Sequence, residues 1–430
     1  KCETINNVYN KIEDIEEANK IINSLRICDP AVGSGHFLVS ALNEIIAIKS
    51  ELRILTDREG KRLKEYTVEV INDELIITDE QSKLFEYNPK SKESQRVQEA
   101  LFQEKQKIIE NCLFGVDINP NSVKICRLRL WIELLKNAYY IRETINAKRE
   151  TSFPQLETLP NIDINIKCGN SLISRYPLDA DIKTALKSSK WNVDNYREAV
   201  MTYRNAQSKD EKRSMEQLIS KIKNDFETEV SKSDKRFLKL NKLNGELLSL
   251  TGQSSLFELT KTQKEEWNKK VKKLTVEIQN LESQITEIKS NKIYENAFEW
   301  RFEFPEVLNN DGDFVGFDVV IGNPPYIRQE LLTAFKDYLK SSYKVFSGTG
   351  DIFSYFYELS FNVLSDKGIF CFINNTFDKT NAGKILRNYI QENYSIQKYI
   401  DFTSVIVFEE ASTYPIVFLF GYEKLKNSEF

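Results

Sequence analysis

The chain has 430 residues, 41% of them apolar, and its 60 Lys and Arg against 64 Asp and Glu give a formal net charge of −4. That is enough apolar material for a large core in one enlarged domain or two to three units, while the charge argues against wrapping nucleic acid over the whole surface and leaves room only for a local basic cleft. No apolar run approaches the ~20 residues of a membrane span, and six scattered cysteines without a Cys-x-x-Cys pair, beside a single histidine, exclude a conventional zinc site and point to reduced thiols in a cytoplasmic protein.

In chain order, Arg26-Ile27-Cys28-Asp29 reads as a short strand, followed by the turn Pro30-Ala31-Val32-Gly33-Ser34-Gly35-His36 and a helix over Phe37 to Ile48. Strand, glycine turn and helix N-terminus make a cradle in which backbone approaches a ligand closely. Asp29, at the strand's end, is placed to pair with a ligand ammonium. The position three after Gly35 is Leu38, so the third glycine of a dinucleotide fingerprint is lacking. A small α/β insertion then runs from about 51 to 110, well beyond the ~20 residues between glycine loop and ribose acid in a minimal nucleotide-binding unit. Within it, Tyr66 to Ile71 and Glu74 to Thr78 predict a hairpin about Asn72-Asp73, and Gln103 to Asn111 predicts a helix. Leu113-Phe114-Gly115-Val116 reads as a strand ending at Asp117-Ile118, and Ile162 to Lys167 as another, ending at Gly169-Asn170-Ser171.

A Lys- and Glu-rich stretch from about 177 to 296 follows. Trp267, Val271, Leu274, Ile278, Leu281, Ile285 and Ile288 recur at alternating steps of four and three, the spacing of a coiled-coil seam. An earlier helical stretch with Tyr196, Val200, Tyr203, Leu218, Ile222 and Phe226 on apolar positions is the expected antiparallel partner, with a turn at Gly252, Ser254 and Ser255. The expectation is a protruding helical hairpin of structural purpose, with a DNA clamp or partner-docking arm as the alternative.

Phe317-Asp318-Val319-Val320-Ile321 predicts a strand that ends in Asn323-Pro324-Pro325-Tyr326. This tetrapeptide suits one chemical task. The lone pair of an amino group conjugated to a ring is delocalised, and the nitrogen becomes nucleophilic only when acceptors hold its two hydrogens. Asn323 offers a side-chain oxygen and Pro324 a carbonyl, on a turn stiffened by two fixed proline φ angles. Tyr326 offers a face on which a base can stack. Pro-Pro also marks ordinary loops, so the tetrapeptide alone leaves a plain strand-terminating turn open. Beyond it, Asp351 to Leu364 reads as an amphipathic helix, and Gly368 to Asn374, Ser395 to Asp401 and Tyr414 to Gly421 as strands.

The order Asp-Pro-Ala-Val-Gly-Ser-Gly, Phe-Gly-Val-Asp-Ile-Asn-Pro, Cys-Gly-Asn-Ser-Leu and Ile-Gly-Asn-Pro-Pro-Tyr resembles the adenine-N6 DNA methyltransferases of type IIG restriction-modification systems. The resemblance covers most of the chain outside the two insertions. It implies an α/β fold with a Rossmann-like class I methyltransferase sheet, mostly parallel and seven-stranded, carrying a long helical coiled-coil insertion. Residues 1–176 and 297–430 are then the two halves of the core, and 177–296 the insertion. The implied cofactor is S-adenosylmethionine, held by Asp29, Pro30, Ala31, Gly33, Gly35, Asp117, Ile118, Asn170, Ser171, Asn323 and Pro325. Asp117 matches the acid that binds the ribose hydroxyls and Ile118 the residue packed on the cofactor's adenine, with Pro325 on the other side. Asn170 matches the contact to that adenine's amine. Asn323, Pro324 and Tyr326 are the implied catalytic residues, while Tyr326 and Phe408 are those that hold a flipped adenine. The implied partner is double-stranded DNA, without metal or membrane.

The chain departs from this pattern in places. The Tyr-Thr-Pro segment that helps hold the methionine end of the cofactor is not recognisable in Lys1 to Leu25, and no Pro-Asp…Asp/Glu-x-Lys nuclease constellation is evident. A target-recognition domain is expected beyond Phe430, which makes the chain read as a catalytic core cut from a longer protein. Glutamine-directed protein methyltransferases and RNA methyltransferases share the tetrapeptide, and a non-catalytic cofactor-sensing or DNA-binding subunit of a defence complex would keep the same pocket.

Overall fold

The computed structural model describes residues 5–141, 155–178, 189–233, 235–253, 261–290, 292–329, 332–348, 350–375, 377, 380–381, 383–402, 404–405 and 415–421. Phe408, Ser254 and Ser255 lie outside them. The chain divides into two compact units, one of Lys1–Ser171, Tyr203–Gln207 and Val315–Phe430, the other of Leu172–Thr202 and Ser208–Phe314.

The first unit is built on β1 (Ile27–Asp29), the pair β2 (Tyr66–Ile71) and β3 (Glu74–Asp79), β4 (Leu113–Asp117), β5 (Ile166–Cys168), β6 (Phe317–Gly322), β7 (Leu364–Asn375), β8 (Ser395–Asp401) and β9 (Pro415–Gly421). Seven of these form one sheet in the order β5-β4-β1-β6-β7-β9-β8. The first five run parallel, and β9 is antiparallel to both β7 and β8. This is the Rossmann-like class I methyltransferase sheet that the resemblance implies. The strands β1 and β4 are buried almost throughout, as continuous apolar runs must be when helices cover both faces of a parallel sheet.

Helices His36–Glu51, Lys92–Asn111 and Pro120–Leu135 share one core with these strands. Leu38, Leu42 and Ile46 meet Val97, Leu101 and Ile108, and Val123, Leu130 and Leu134, over Ile27, Leu113 and Ile166. The i, i+4 recurrence along each helix is what presents these side chains on one face. The second helix starts at Lys92, eleven residues before the expected Gln103. Its first turns bury Ser94, Gln95, Gln98 and Glu99, so an apolar pattern does not mark them. Ser91 caps it by accepting from the Ser94 N–H. Two successive residues of this helix pair with its neighbours: Glu104 with Lys49, and Lys105 with Glu133 at 3.4 Å. Burial lowers the affinity of both lysines for their protons, that of Lys105 to a pKa of about 8.

The predicted hairpin forms as read. Ile71 pairs with Glu74 around Asn72 and Asp73, both at positive φ, which is the geometry of a two-residue primed turn. Ser40 donates to Asp73 Oδ1 at 2.6 Å and Asn43 Nδ2 to the Asp73 carbonyl at 3.0 Å, tying the turn to the first helix. Two other readings are corrected. Ile162 to Lys167 is a single 3-10 turn, Ile162–Ile164, before β5 opens at Ile166. Asn165 lies between them with its side-chain amide donating to the carbonyls of Ile109, Glu110 and Leu113, and this fixes where the strand starts. The helix Phe353–Val363 is buried nearly all round rather than amphipathic, because it sits among Phe370, Phe372, Phe377 and Phe420.

The second unit contains helices Val193–Asn205, Lys209–Ser233, Lys235–Gln253, Lys261–Ser290 and Trp300–Glu303. Leu274, Ile278 and Leu281 of the predicted seam pack on Leu243, with Leu240, Leu247 and Leu250 alongside. The partner of the long helix is therefore Lys235–Gln253 and not the 196–226 stretch. Tyr196 instead packs its ring 6.2 Å from Phe226 and donates its hydroxyl to the Phe302 carbonyl at 2.8 Å. The unit's entry and exit are joined at Glu299, which accepts from the Ser174 hydroxyl and the Arg175 N–H.

The Lys49–Glu104 pair gives a direct test of the first unit's packing. Lys49 is 0% exposed at its side chain, so Glu104→Ala strands a charge and is expected to lower the unfolding free energy by about 3–5 kcal/mol in urea denaturation. Combining Lys49→Met with Glu104→Leu is expected to recover most of that. A loss below about 1 kcal/mol in the single variant contradicts a structural role for the pair.

Candidate functional site

The chain leaves β1 toward β4 on one side of the sheet, and β6 leads to β7 on the other. A crevice opens outside the carboxyl ends of strands at such a reversal, and the predicted residues sit on the loops there. Loops after β1, β4 and β5 are laced by backbone. Val32 N–H donates to the Val116 carbonyl at 2.9 Å and Gly169 N–H to the Asp117 carbonyl at 2.9 Å. Gly33 N–H reaches Asp117 Oδ2 at 3.0 Å, and Asn119 N–H reaches Oδ1 at 2.7 Å. Ser171, itself buried, donates its hydroxyl to the Pro30 carbonyl at 2.6 Å. Asp29, Pro30, Ala31, Gly33, Asp117 and Ser171 thus form one connected group, with Asn170 half-buried beside it. Ile118 is 56% exposed, which leaves its side chain open to a ligand.

The two glycines of the turn do different work. At Gly33, φ is +52° and no atom lies closer than 4.0 Å to the place of a Cβ, so the backbone there faces open space. At Gly35, φ is +84° and a Cβ would lie 2.5 Å from Cys126 Sγ. Gly35 therefore lets two helices approach, and only Gly33 faces the crevice. Gly322, outside the sequence-predicted set, belongs to the same arrangement: a Cβ on it would lie 2.7 Å from Asp29 Oδ1.

Asp29 is 1% exposed, beneath the glycine turn rather than on its open face, and accepts from the Ala31 N–H at 3.0 Å. Burial raises its pKa to about 7; the bond from Ala31 works against the shift and the charge of Asp117 adds to it. A carboxylate held this way has lost water without gaining a cation among the described residues. A positively charged group at the crevice would relieve that cost. An open glycine backbone, the acid Asp117, the exposed Ile118 and this uncompensated carboxylate together fit a cationic nucleoside.

At the end of β6, Asn323 is exposed, Pro324 buried, Pro325 half-buried and Tyr326 43% exposed. The Tyr326 hydroxyl donates to Asn323 Oδ1 at 2.8 Å. Its ring stands edge-on to Phe353 at 6.2 Å, and Phe353 is backed by Phe377 at 5.9 Å. Downstream, Ile352 N–H donates to the Ile327 carbonyl at 2.9 Å and Gln329 N–H to that of Gly350 at 3.0 Å. The Tyr355 hydroxyl donates to Gln329 Oε1 at 2.6 Å. The tetrapeptide is thus held by β6 on one side and by the start of the helix Phe353–Val363 on the other. Phe353, Gln329 and Tyr355 escape a sequence reading, since their only signal is an aromatic run typical of a core.

A family model, the Eco57I restriction-modification methylase, matches residues 111–408. The chain belongs to the Eco57I restriction-modification methylase family. Among similar proteins, a putative type II restriction enzyme and methyltransferase of Methanocaldococcus jannaschii is 27% identical over 75% of this chain and 24% of its own length. The type II methyltransferase M.BstVI of Geobacillus stearothermophilus is 35% identical over 26% of this chain and 20% of its own. The type II restriction enzyme and methyltransferase RM.Eco57I of Escherichia coli is 35% identical over 26% and 12%. The match to each of these methylases spans about a quarter or less of the relative's length.

The burial of Asp29 makes a prediction with a definite sign. Its folded pKa of about 7 lies above its ordinary value of 3.8, so the cost of burying the ionised form is absent well below pH 3.8, grows between the two values and is complete above pH 7. Asp29→Asn keeps the acceptor for Ala31 without the charge. It is expected to raise the stability of the ligand-free protein by about 2–4 kcal/mol at pH 8 and by almost nothing at about pH 3. Urea denaturation at the two pH values measures this, and equal increments at both would remove ionisation as the cause.

Proposed function

We propose that the chain is the methyltransferase part of a restriction-modification enzyme and transfers a methyl group from S-adenosylmethionine to the N6 amine of an adenine flipped out of DNA. The observation that carries this is Asn323-Pro324-Pro325-Tyr326 at the end of β6, beside the glycine turn after β1, in a chain of this methylase family. A carboxamide nitrogen would need the same acceptors. The family favours DNA over protein.

In this reading residues 1–176 and 297–430 make the catalytic core and 177–296 an insertion into it. Asp117 keeps accepting capacity after its two backbone bonds, because a carboxylate offers about four lone-pair sites, and these take the ribose hydroxyls. Ile118 covers one face of the cofactor's adenine and Pro325 the other, while Asn170 accepts from its amine. Gly33 lets the turn come close, with Pro30, Ala31 and Gly35 shaping it and Ser171 fixing the Pro30 carbonyl. Ionised Asp29 balances the cofactor's positive charge from beneath. When bound, S-adenosylmethionine supplies an electrophilic methyl group.

The chain's own chemistry is then positional. Tyr326 stacks on the extruded base, whose unstacking costs a few kcal/mol. Asn323 Oδ1 and the Pro324 carbonyl accept the two amine hydrogens, which drives the nitrogen toward a tetrahedral, nucleophilic form with its lone pair directed at the methyl. The same acceptors stabilise the positive charge that grows on nitrogen as the N–C bond forms and the S–C bond breaks; the sulfonium would leave as a neutral thioether, and one amine hydrogen would be lost as a proton to solvent. Phe408, outside the described residues, is assigned to holding the flipped base.

Asn323→Ala is expected to reduce transfer of labelled methyl to DNA by at least 100-fold in the full-length protein, as for other preorganised polar groups, with cofactor affinity within about threefold of the original. Turnover near the original would sink the role of Asn323. Because the cofactor's charge favours ionised Asp29, its affinity is expected to fall as pH drops below about 7, by up to tenfold per unit. Calorimetry between pH 5.5 and 8.5 reads this, and a flat profile, or one unchanged in Asp29→Asn, would falsify the charge balance.

A further inference from the structure

We propose that the hydroxyl of Tyr326 is a positioning group for Asn323, holding the side-chain amide with its oxygen turned to receive the substrate amine. This rests on the reading of Asn323 as the amine's acceptor.

An asparagine amide has two ends of nearly equal size and opposite chemistry, and rotation about its terminal torsion is soft. Only Oδ1 can accept. With Nδ2 turned inward, the site presents a donor to a donor and repels the amine it should hold. Asn323 is exposed, where water solvates either orientation, so the surroundings must choose. Among the described residues its side chain makes one hydrogen bond, from the Tyr326 hydroxyl to Oδ1 at 2.8 Å. A phenol is a much better donor than acceptor, so this contact favours the amide oxygen over the amide nitrogen. Oδ1 carries two lone pairs. The hydroxyl engages one and leaves the other for an amine hydrogen.

The latch works because the ring that carries it is supported. Phe353, 7% exposed, meets the Tyr326 ring edge-on at 6.2 Å, and Ile327, the next residue, is bonded to Ile352. One side chain then has two separable tasks: its face stacks on the base and its rim sets the amide. Phenylalanine keeps the first and loses the second.

The test is Tyr326→Phe in the full-length protein, with Tyr326→Ala as the variant that loses both tasks. For Tyr326→Phe the expected result is a five- to tenfold fall in kcat for DNA methylation with KM for DNA unchanged within twofold. Tyr326→Ala is expected to raise KM as well. In parallel, labelled asparagine reports the Asn323 side-chain carbonyl by NMR in the cofactor-bound protein without DNA, and its signal is expected to move upfield in Tyr326→Phe. An unmoved carbonyl overturns the latch, as does an unchanged kcat or a loss confined to KM. If the original protein leaves no N6-methyladenine in DNA, the assignment of the substrate fails instead, and the carbonyl signal alone then decides whether the hydroxyl holds the amide.

Discussion

The architecture depends on the junction of β1 with β6, two neighbouring strands whose ends are fixed by different forces. At one end, Arg26 grips Asp318 with two side-chain bonds of 3.0 Å, and its backbone N–H adds a third at 2.9 Å. At the other, the Asp29 carboxylate fills the space that a Cβ on Gly322 would need. Arg26 and Asp318 are 292 residues apart, so closing this pair costs loop entropy before any contact forms. A charged, directional grip suits that task better than greasy contact alone, because a one-residue slip of β6 would separate Arg26 from Asp318 and set a side chain against Asp29. The register that places Asn323 beside the glycine turn is thus enforced at both ends of a very short strand.

That junction also explains why an ionisable group is buried where a neutral one would be more stable. Asp29 loses solvent because Gly322 and the glycine turn close over it. In the proposed function, the binding of a positively charged cofactor offsets this penalty. The glycines follow the same division. Gly35 is dictated by Cys126, while Gly33 borders open space, so one tripeptide serves helix packing at one glycine and leaves an open backbone at the other. The motif is compact because the crevice floor and the helix interface are the same piece of backbone.

Local features were legible in the sequence and long-range ones were not. Asn72-Asp73 gave the hairpin because turn chemistry is decided by the two residues themselves. The glycine turn, Asp117 and the tetrapeptide stand out in the sequence because each ends an apolar run, and each lies at or just after the end of a strand. The start of the helix Lys92–Asn111 was hidden by Ser94, Gln95, Gln98 and Glu99, polar residues that are buried through partners far along the chain, such as the Tyr140 carbonyl for Gln95. The true partner of the Trp267 to Ile288 seam did carry a signal. Leu240, Leu243, Leu247 and Leu250 repeat at steps of three, four and three, and this matches the seam better than the aromatic-rich 196–226 stretch, where Tyr196 turns to Phe226 and the Phe302 carbonyl. The junction of Asp29 with Gly322 left no mark beyond the glycine that precedes Asn323.

The tetrapeptide shows how an exposed group is made rigid without being buried. In the proposed function Asn323 and Tyr326 both meet an incoming base, and both are exposed, so neither is locked by close packing on every side. Their precision comes from what lies behind and after them: β6 fixes the turn's start, Phe353 and Phe377 support the ring, and Ile327 and Gln329 are laced to Gly350 and Ile352. Tyr355 completes this from a buried position by donating to Gln329. Sites that act through geometry need such support more than they need reactive groups. A nitrogen made nucleophilic only by two acceptors is a demanding case, since displacing either acceptor returns its lone pair to the ring.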